Sequence, residues 1–113
     1  MPCLYLSTNV SLDGVDIDPI FSETTKAISA ITGKPESFVM VLLKGSVAIS
    51  FGASKSEPAA YGELVALGGI TKAVKRQLIA TLGTILQDSK LSIPKTRFFL
   101  KVVDVSTPSG SKL

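Results

Sequence analysis

The sequence predicts a single α/β domain (α+β in some schemes) in which two strand–helix–strand units form a four-stranded mixed sheet with two helices on one face. Three observations predict it. Short runs of β-favouring apolar residues alternate with longer stretches of helical periodicity. This order runs twice within 113 residues, a length that suits one core and not two. Finally, Pro35 and Pro94 hold matching places in the two halves, each a few residues ahead of an apolar strand.

The first strand spans residues 3–8, rich in apolar and β-favouring side chains, and begins almost at the amino end. A strand placed there pins the terminus inside the fold, where most chains fray. If Met1 is removed, the pinned residue is Pro2, with a free secondary amine; if Met1 stays, it is only packing. Residues 9–15 are a connector, with Asp13-Gly14 as its turn. Asp18-Pro19 reads as an N-cap followed by proline at the first helical position. Ile20, Phe21, Thr24, Ala27, Ile28 and Ile31 follow at helical spacing, and Gly33, then Lys34-Pro35, end the helix.

Residues 38–43 (Phe-Val-Met-Val-Leu-Leu) are apolar without alternation, as in a strand covered on both faces. Lys44-Gly45 closes that strand, residues 47–51 read as a shorter one, and 52–58 as a polar loop. In the second half, residues 63–67 form a short strand ending at Gly68-Gly69. Ile70, Ala73, Val74, Gln77, Leu78, Thr81, Leu82, Ile85 and Leu86 make the apolar stripe of a second helix that ends near Lys90. Pro94 leads into a strong strand over 97–103. The expected organisation is one domain over 1–106, internally duplicated (about 2–52 and 58–104), and a tail over 107–113. Two helices cover only one face of such a sheet, so the apolar second face is expected to meet another protein surface, most simply in a symmetric oligomer.

Composition narrows the function. The chain is 45% hydrophobic and only 19% charged, with a mean hydropathy of +0.40, which again favours self-association. The net charge of +3 is scattered, with no aromatic interleaving, so no nucleic-acid partner is expected. There is no histidine, which excludes Ser-His-Asp and Cys-His nucleophile systems. With one cysteine, a zinc site would need carboxylates alone, so no metal site is expected. Cys3 has no partner for an intrachain disulfide, in keeping with a reducing compartment; it reads as core before nucleophile. No apolar run approaches a membrane span, and the amino end lacks the basic head and apolar stretch of a signal peptide.

Several motifs occur in a telling order: Met1-Pro2 running into a strand, Thr8-Asn9-Val10, Gly33-Lys34-Pro35, Ser50-Phe51-Gly52, Glu57-Pro58, and Arg97-Phe98-Phe99 followed by Asp104. Together they resemble the macrophage migration inhibitory factor and D-dopachrome tautomerase family, and look most like its plant members. The resemblance covers residues 2 to about 104. It implies a tautomerase-type fold assembled as a homotrimer, with sites between subunits. It implies keto–enol tautomerisation of arylpyruvate-type α-keto acids or dopachrome-like compounds without a cofactor, with Pro2 as general base. Lys34 matches the lysine that faces the substrate carboxylate, Phe38 an aromatic of the pocket wall, and Leu67 an apolar position with a backbone hydrogen bond in the pocket. Read without the resemblance, Lys34 just past a helix end is a dipole partner or a solvated side chain.

Three departures bear on activity. Phe99 stands where the animal proteins have a tyrosine, and Lys101 where they have an asparagine. The aromatic carboxyl-terminal segment is missing. Weakened or altered activity is therefore expected, and the alternative role is a cytokine-like protein that binds a cell-surface receptor through its trimer surface if released. Ala59 and Gly62 replace the family's Cys-x-x-Cys pair, so no thiol redox activity is expected. Ser111-Lys112-Leu113 reads as a peroxisomal import tripeptide for the import receptor, the other reading being a chance tripeptide on a frayed end. The expected location is the peroxisome with a cytoplasmic pool.

Overall fold

A computed structural model describes residues 1–105. The elements are β1 (Cys3–Thr8), α1 (Asp18–Thr32), β2 (Met40–Lys44), β3 (Ala60–Ala66), α2 (Lys72–Asp88) and β4 (Phe98–Asp104), with single turns of 3-10 helix at Glu36–Phe38 and Lys95–Arg97. The four strands make one sheet in the order β2-β1-β3-β4. β1 pairs with β2 and β3 with β4 in parallel, while β1 and β3 are antiparallel. Each helix is thus the crossover of a parallel pair, as a parallel connection requires.

The two prolines explain why both crossovers end alike. Pro35 (φ −59°, ψ 145°) and Pro94 (φ −58°, ψ 140°) each head a 3-10 turn that feeds the next strand. Their carbonyls accept from the N–H groups of Phe38 at 3.0 Å and Arg97 at 2.9 Å. These turns consume Phe38, Val39 and Arg97, so the expected strands over 38–43 and 97–103 are shifted to Met40–Lys44 and Phe98–Asp104. The expected strand over 63–67 runs Ala60–Ala66 instead, because its ladder with β1 starts at Ala60 opposite Thr8.

Helix α1 is flanked by Ile17, not capped by Asp18. The Asp16 carboxylate accepts from the Asp18 N–H at 3.1 Å, and Asp18 is the acidic residue of the first turn, where the helix dipole favours it. Gly33 ends the helix in the left-handed region (φ 76°), its N–H donating to the Ser29 carbonyl. Helix α2 carries a cap absent from the sequence reading: Thr71 Oγ1 accepts from the Val74 N–H at 3.1 Å. Of its expected stripe, Leu78, Leu82 and Leu86 are buried, whereas Ala73 and Gln77 are exposed.

Leu4, Leu6, Leu64 and Leu100 from the sheet meet Ile20, Ile28, Leu78, Leu82 and Leu86 from the helices to form the core. Alternation sends the other strand residues to the uncovered face. Register aligns them in three rows: Met40, Cys3, Val65, Val103; then Leu42, Tyr5, Glu63, Lys101; then Lys44, Ser7, Tyr61, Phe99. Met40, Leu42 and Phe99 are 53%, 45% and 58% exposed, so β2 is covered on one face of the chain and not on both.

The expected strand over 47–51 does not form. Ser46 and Val47 donate to the carbonyls of Val10 and Thr8 at 3.0 Å each, after which the chain leaves the sheet, with only an isolated bridge between Phe51 and Ser54. No described strand of the chain lies beside this segment, and a strand without a partner has no ladder to hold it. The following loop is fastened by Arg97. Its guanidinium donates to the carbonyls of Phe51, Ser54, Glu57 and Pro58 at 2.9–3.4 Å, pairs with the Glu57 carboxylate at 3.7 Å and lies 5.2 Å over the Phe51 ring. The planar fork of arginine suits several acceptors at once. No described helix is long and apolar enough to cross a membrane.

Gly45 shows why the chain can leave β2 where it does. A Cβ there would sit 2.5 Å from Leu12 Cγ and 2.8 Å from the Val10 carbonyl oxygen. The carbonyl belongs to backbone held by Ser46, so it cannot simply swing aside. Gly45→Ala is expected to lower stability by about 1–3 kcal/mol, the usual cost of overpacking. A reduced midpoint of urea unfolding with unchanged slope checks this.

Candidate active site

Proline has no N–H for a ladder, so it is tolerated at the first position of a strand. Pro2 occupies that place ahead of β1. Its carbonyl accepts from the Met40 N–H at 3.0 Å, and its ring is almost fully buried. Extending the two β1 ladders by one residue puts Pro2 beside Val39 and opposite Ala66; a second step puts Met1 beside Phe38 and Leu67. The Pro2 nitrogen thus sits at the head of an inner strand, bordered by an exposed phenylalanine and a half-buried leucine. While Met1 is attached this nitrogen is an amide and cannot take a proton. Met1 itself is 53% exposed.

Lys34 lies at the same end of the molecule, between the Gly33 cap and the turn that delivers Phe38. Its backbone is held on both sides: its N–H donates to Thr32 Oγ1 at 3.3 Å, and its carbonyl accepts from Ser29 Oγ at 2.6 Å. Among the described residues its ammonium forms no ion pair, and it is half-buried. One chain therefore gathers Pro2, Lys34, Phe38 and Leu67 at one end of the sheet.

It does not bring Phe99 and Lys101 to them. Both are on β4, separated from β1 by β3, which is about 10 Å across the sheet at the usual strand spacing. They project from the open face beside Tyr61 and Glu63. Cys3 also lies on the open face, half-buried, and among the described residues no cluster of three metal-binding side chains exists. Ser111, Lys112 and Leu113 fall outside the described residues.

Two polar residues of the open face were missed by the sequence reading. The Tyr61 ring stacks on Phe99 with centroids 5.9 Å apart and planes 7° from parallel. Its hydroxyl donates to Glu63 Oε2 at 2.7 Å. That hydrogen bond, then partial desolvation and the carboxylate's charge, raise the Tyr61 phenol above its ordinary value. The only sequence signal was the i, i+2 spacing of Tyr61 and Glu63, which gains meaning once the register with β4 is known.

A groove of about 580 Å³ lies at the other end of the molecule, lined by Asn9, residues 46–50 and Lys55. None of the site residues lines it, and its walls hold one titratable side chain. It borders the segment that lacks a strand partner and offers room for main chain more than for chemistry, so the Pro2 end is the better candidate for catalysis.

The sequence pattern described as macrophage migration inhibitory factor (MIF) matches residues 1–111. The chain belongs to the macrophage migration inhibitory factor family. It is 37% identical to the macrophage migration inhibitory factor homolog of Trichuris trichiura over 105 residues, covering 93% of this chain and 90% of that one. To the Xenopus laevis macrophage migration inhibitory factor it is 30% identical over 106 residues, with 94% and 90% covered. Among solved structures, the factor from Trichinella spiralis superposes with a TM-score of 0.84 at 33% identity, over 97% of this chain and 95% of that one. The homologue from Prochlorococcus marinus shares the fold at a TM-score of 0.84 and 21% identity, over 91% and 88% of the two chains.

The Tyr61–Glu63 hydrogen bond has a direct optical test. A phenol whose pKa is raised in the folded state adds stability that is present below its unfolded pKa and lost as pH climbs through the folded one. Ultraviolet titration of tyrosinate should show one of the two tyrosines ionising above the ordinary phenol range. In Glu63→Gln that step should move to lower pH.

Proposed function

We propose that this family member is a cofactor-free keto–enol tautomerase of arylpyruvate-type α-keto acids or dopachrome-like compounds. Pro2, freed of Met1, is its general base, and the working form is a homotrimer in which a neighbouring copy brings Phe99 and Lys101 to each site. The observation that carries this reading is the Pro2 nitrogen, seated at a buried strand head and bordered by Phe38 and Leu67.

The chemistry follows from that seat. An α-amino group ordinarily titrates at about 7.7–8.0. Apolar neighbours and the nearby Lys34 charge both disfavour the protonated amine, so the neutral base is available near pH 7. The base removes a proton from the carbon next to the substrate carbonyl, the electron pair moves through the enol framework to oxygen, and the oxygen is protonated. The reverse sequence ketonises an enol, and the proton account closes without metal or redox partner. Lys34 faces the substrate carboxylate, while Phe38 and Leu67 exclude water from the reacting end.

Phe99 lacks the hydroxyl of the tyrosine in animal members, and losing a donor that stabilises developing charge costs about 10²–10³ in rate. A modest turnover is therefore part of the proposal. The same departure favours the second reading, a cytokine-like protein that acts by binding through its trimer surface. Where Ser111-Lys112-Leu113 forms the mature carboxyl end, it directs this plant-type chain to the peroxisome.

The deciding experiment compares phenylpyruvate tautomerisation by the Met1-processed protein and by Pro2→Ala. A loss of about 10²–10⁴ in kcat/KM is expected, the range of a positioned general base. Equal rates in the two proteins would remove the enzymatic reading. Light scattering should give three times the chain mass; a monomer would leave the site without Phe99 and Lys101.

A further inference from the structure

Phe99 and Lys101 each have a β3 neighbour in register on the open face, Tyr61 beside Phe99 and Glu63 beside Lys101. Adjacent strands are about 4.8 Å apart, so Glu63 and Lys101 are cross-strand neighbours on one small patch, their charged groups standing beyond direct ion-pair distance. Tyr61 lies flat on Phe99 and donates its hydroxyl to Glu63 Oε2, which fixes the carboxylate on this face. On the other side of Glu63 stands Tyr5, whose hydroxyl oxygen accepts from Ser7 at 2.6 Å. The second cation of the open face, Lys44, is on β2 at the opposite edge of the sheet. Glu63 is therefore the one carboxylate in the three rows, and Lys101 is the cation beside it.

This pairing changes what Lys101 does to an anion. A lysine alone at that place would give a pocket two net cations, Lys34 and Lys101. With Glu63 beside it, the far field of Lys101 largely cancels, and the pocket is left with the single charge of Lys34. We propose that Glu63 is a specificity-determining residue: it offsets Lys101 and so makes the site select α-keto acids with one carboxylate over dicarboxylic ones, with Tyr61 as the residue that positions it. The inference rests on the tautomerase and trimer reading given above.

The test is the ratio of kcat/KM for phenylpyruvate, with one carboxylate, to that for 2-oxoglutarate, with two. It is measured in the processed full-length protein and in Glu63→Gln, Glu63→Asp, Tyr61→Phe and the double variant Glu63→Gln/Lys101→Asn. One unit charge uncovered near the pocket is worth about tenfold in binding of the second carboxylate at an effective dielectric near 20. Glu63→Gln should therefore shift the ratio about tenfold toward 2-oxoglutarate, through KM with kcat little changed, and the shift should shrink in high salt. Glu63→Asp should keep the wild-type ratio, Tyr61→Phe should move it part of the way, and the double variant should return it close to wild type. An unmoved ratio in Glu63→Gln, with Pro2-dependent activity intact, overturns the Glu63 assignment alone. Equilibrium binding of benzoate and phthalate, which do not react, gives a readout independent of turnover. Glu63→Gln should strengthen phthalate over benzoate, and equal effects on both overturn the assignment even if the tautomerase reading has failed.

Discussion

A proline can open a strand but cannot sit inside one, and the molecule turns on that restriction. β1 runs between β2 and β3 and is hydrogen-bonded on both sides. Any other residue at position 2 would bring an N–H needing a partner in this buried place. Proline brings none; its carbonyl alone is used, by Met40. The nitrogen is thus excused from the ladder while its ring is locked in the fold. Position without a backbone duty is what a terminal amine needs if it is to exchange protons. The same ladders fix what borders it, since Phe38 and Leu67 come to the mouth by register and not by their distance along the chain.

A second restriction is arithmetic of area. Two helices shield one side of four strands, and the other side keeps Met40, Leu42 and Phe99 in contact with solvent. In the middle of that side, Tyr5 with Ser7 and Tyr61 with Glu63 satisfy one another within the face. Arg97 ties the loop after Phe51 to the start of β4, where the exposed Phe99 lies two residues on. The edges of the face mix apolar side chains with one lysine each, Lys44 on β2 and Lys101 on β4.

Much of this was legible in the sequence, for identifiable reasons. Gly33, Pro35 and Pro94 impose backbone geometry through covalent structure, so the ends of the crossovers could be read from single residues. The apolar stripes of both helices were read for the same kind of reason, because helical period is a local property. Residues 47–51 misled, because β-propensity reports a surface able to pair and not the presence of a partner. The Thr71 cap was overlooked and Asp18 misassigned, since capping depends on where the first turn closes. Pro2, Lys34, Phe38 and Leu67 came from family resemblance; their gathering at one end depends on β1 being internal to the sheet. Tyr61 and Glu63 stayed hidden because cross-strand neighbours exist only once a topology has been chosen.

The two departures on β4 make better physical sense as halves of pairs than as isolated losses. Phenylalanine at 99 presents a flat ring that Tyr61 covers, and the phenol oxygen survives on this patch, displaced by one strand. Lysine at 101 would be costly by itself on a face that symmetry repeats: in an assembly with sheets turned inward, every uncompensated charge meets its own copies around the axis. Glu63 stands beside it with the opposite charge, in the same chain and the same row. A lost hydroxyl here has a neighbouring phenol, and a gained cation a neighbouring carboxylate.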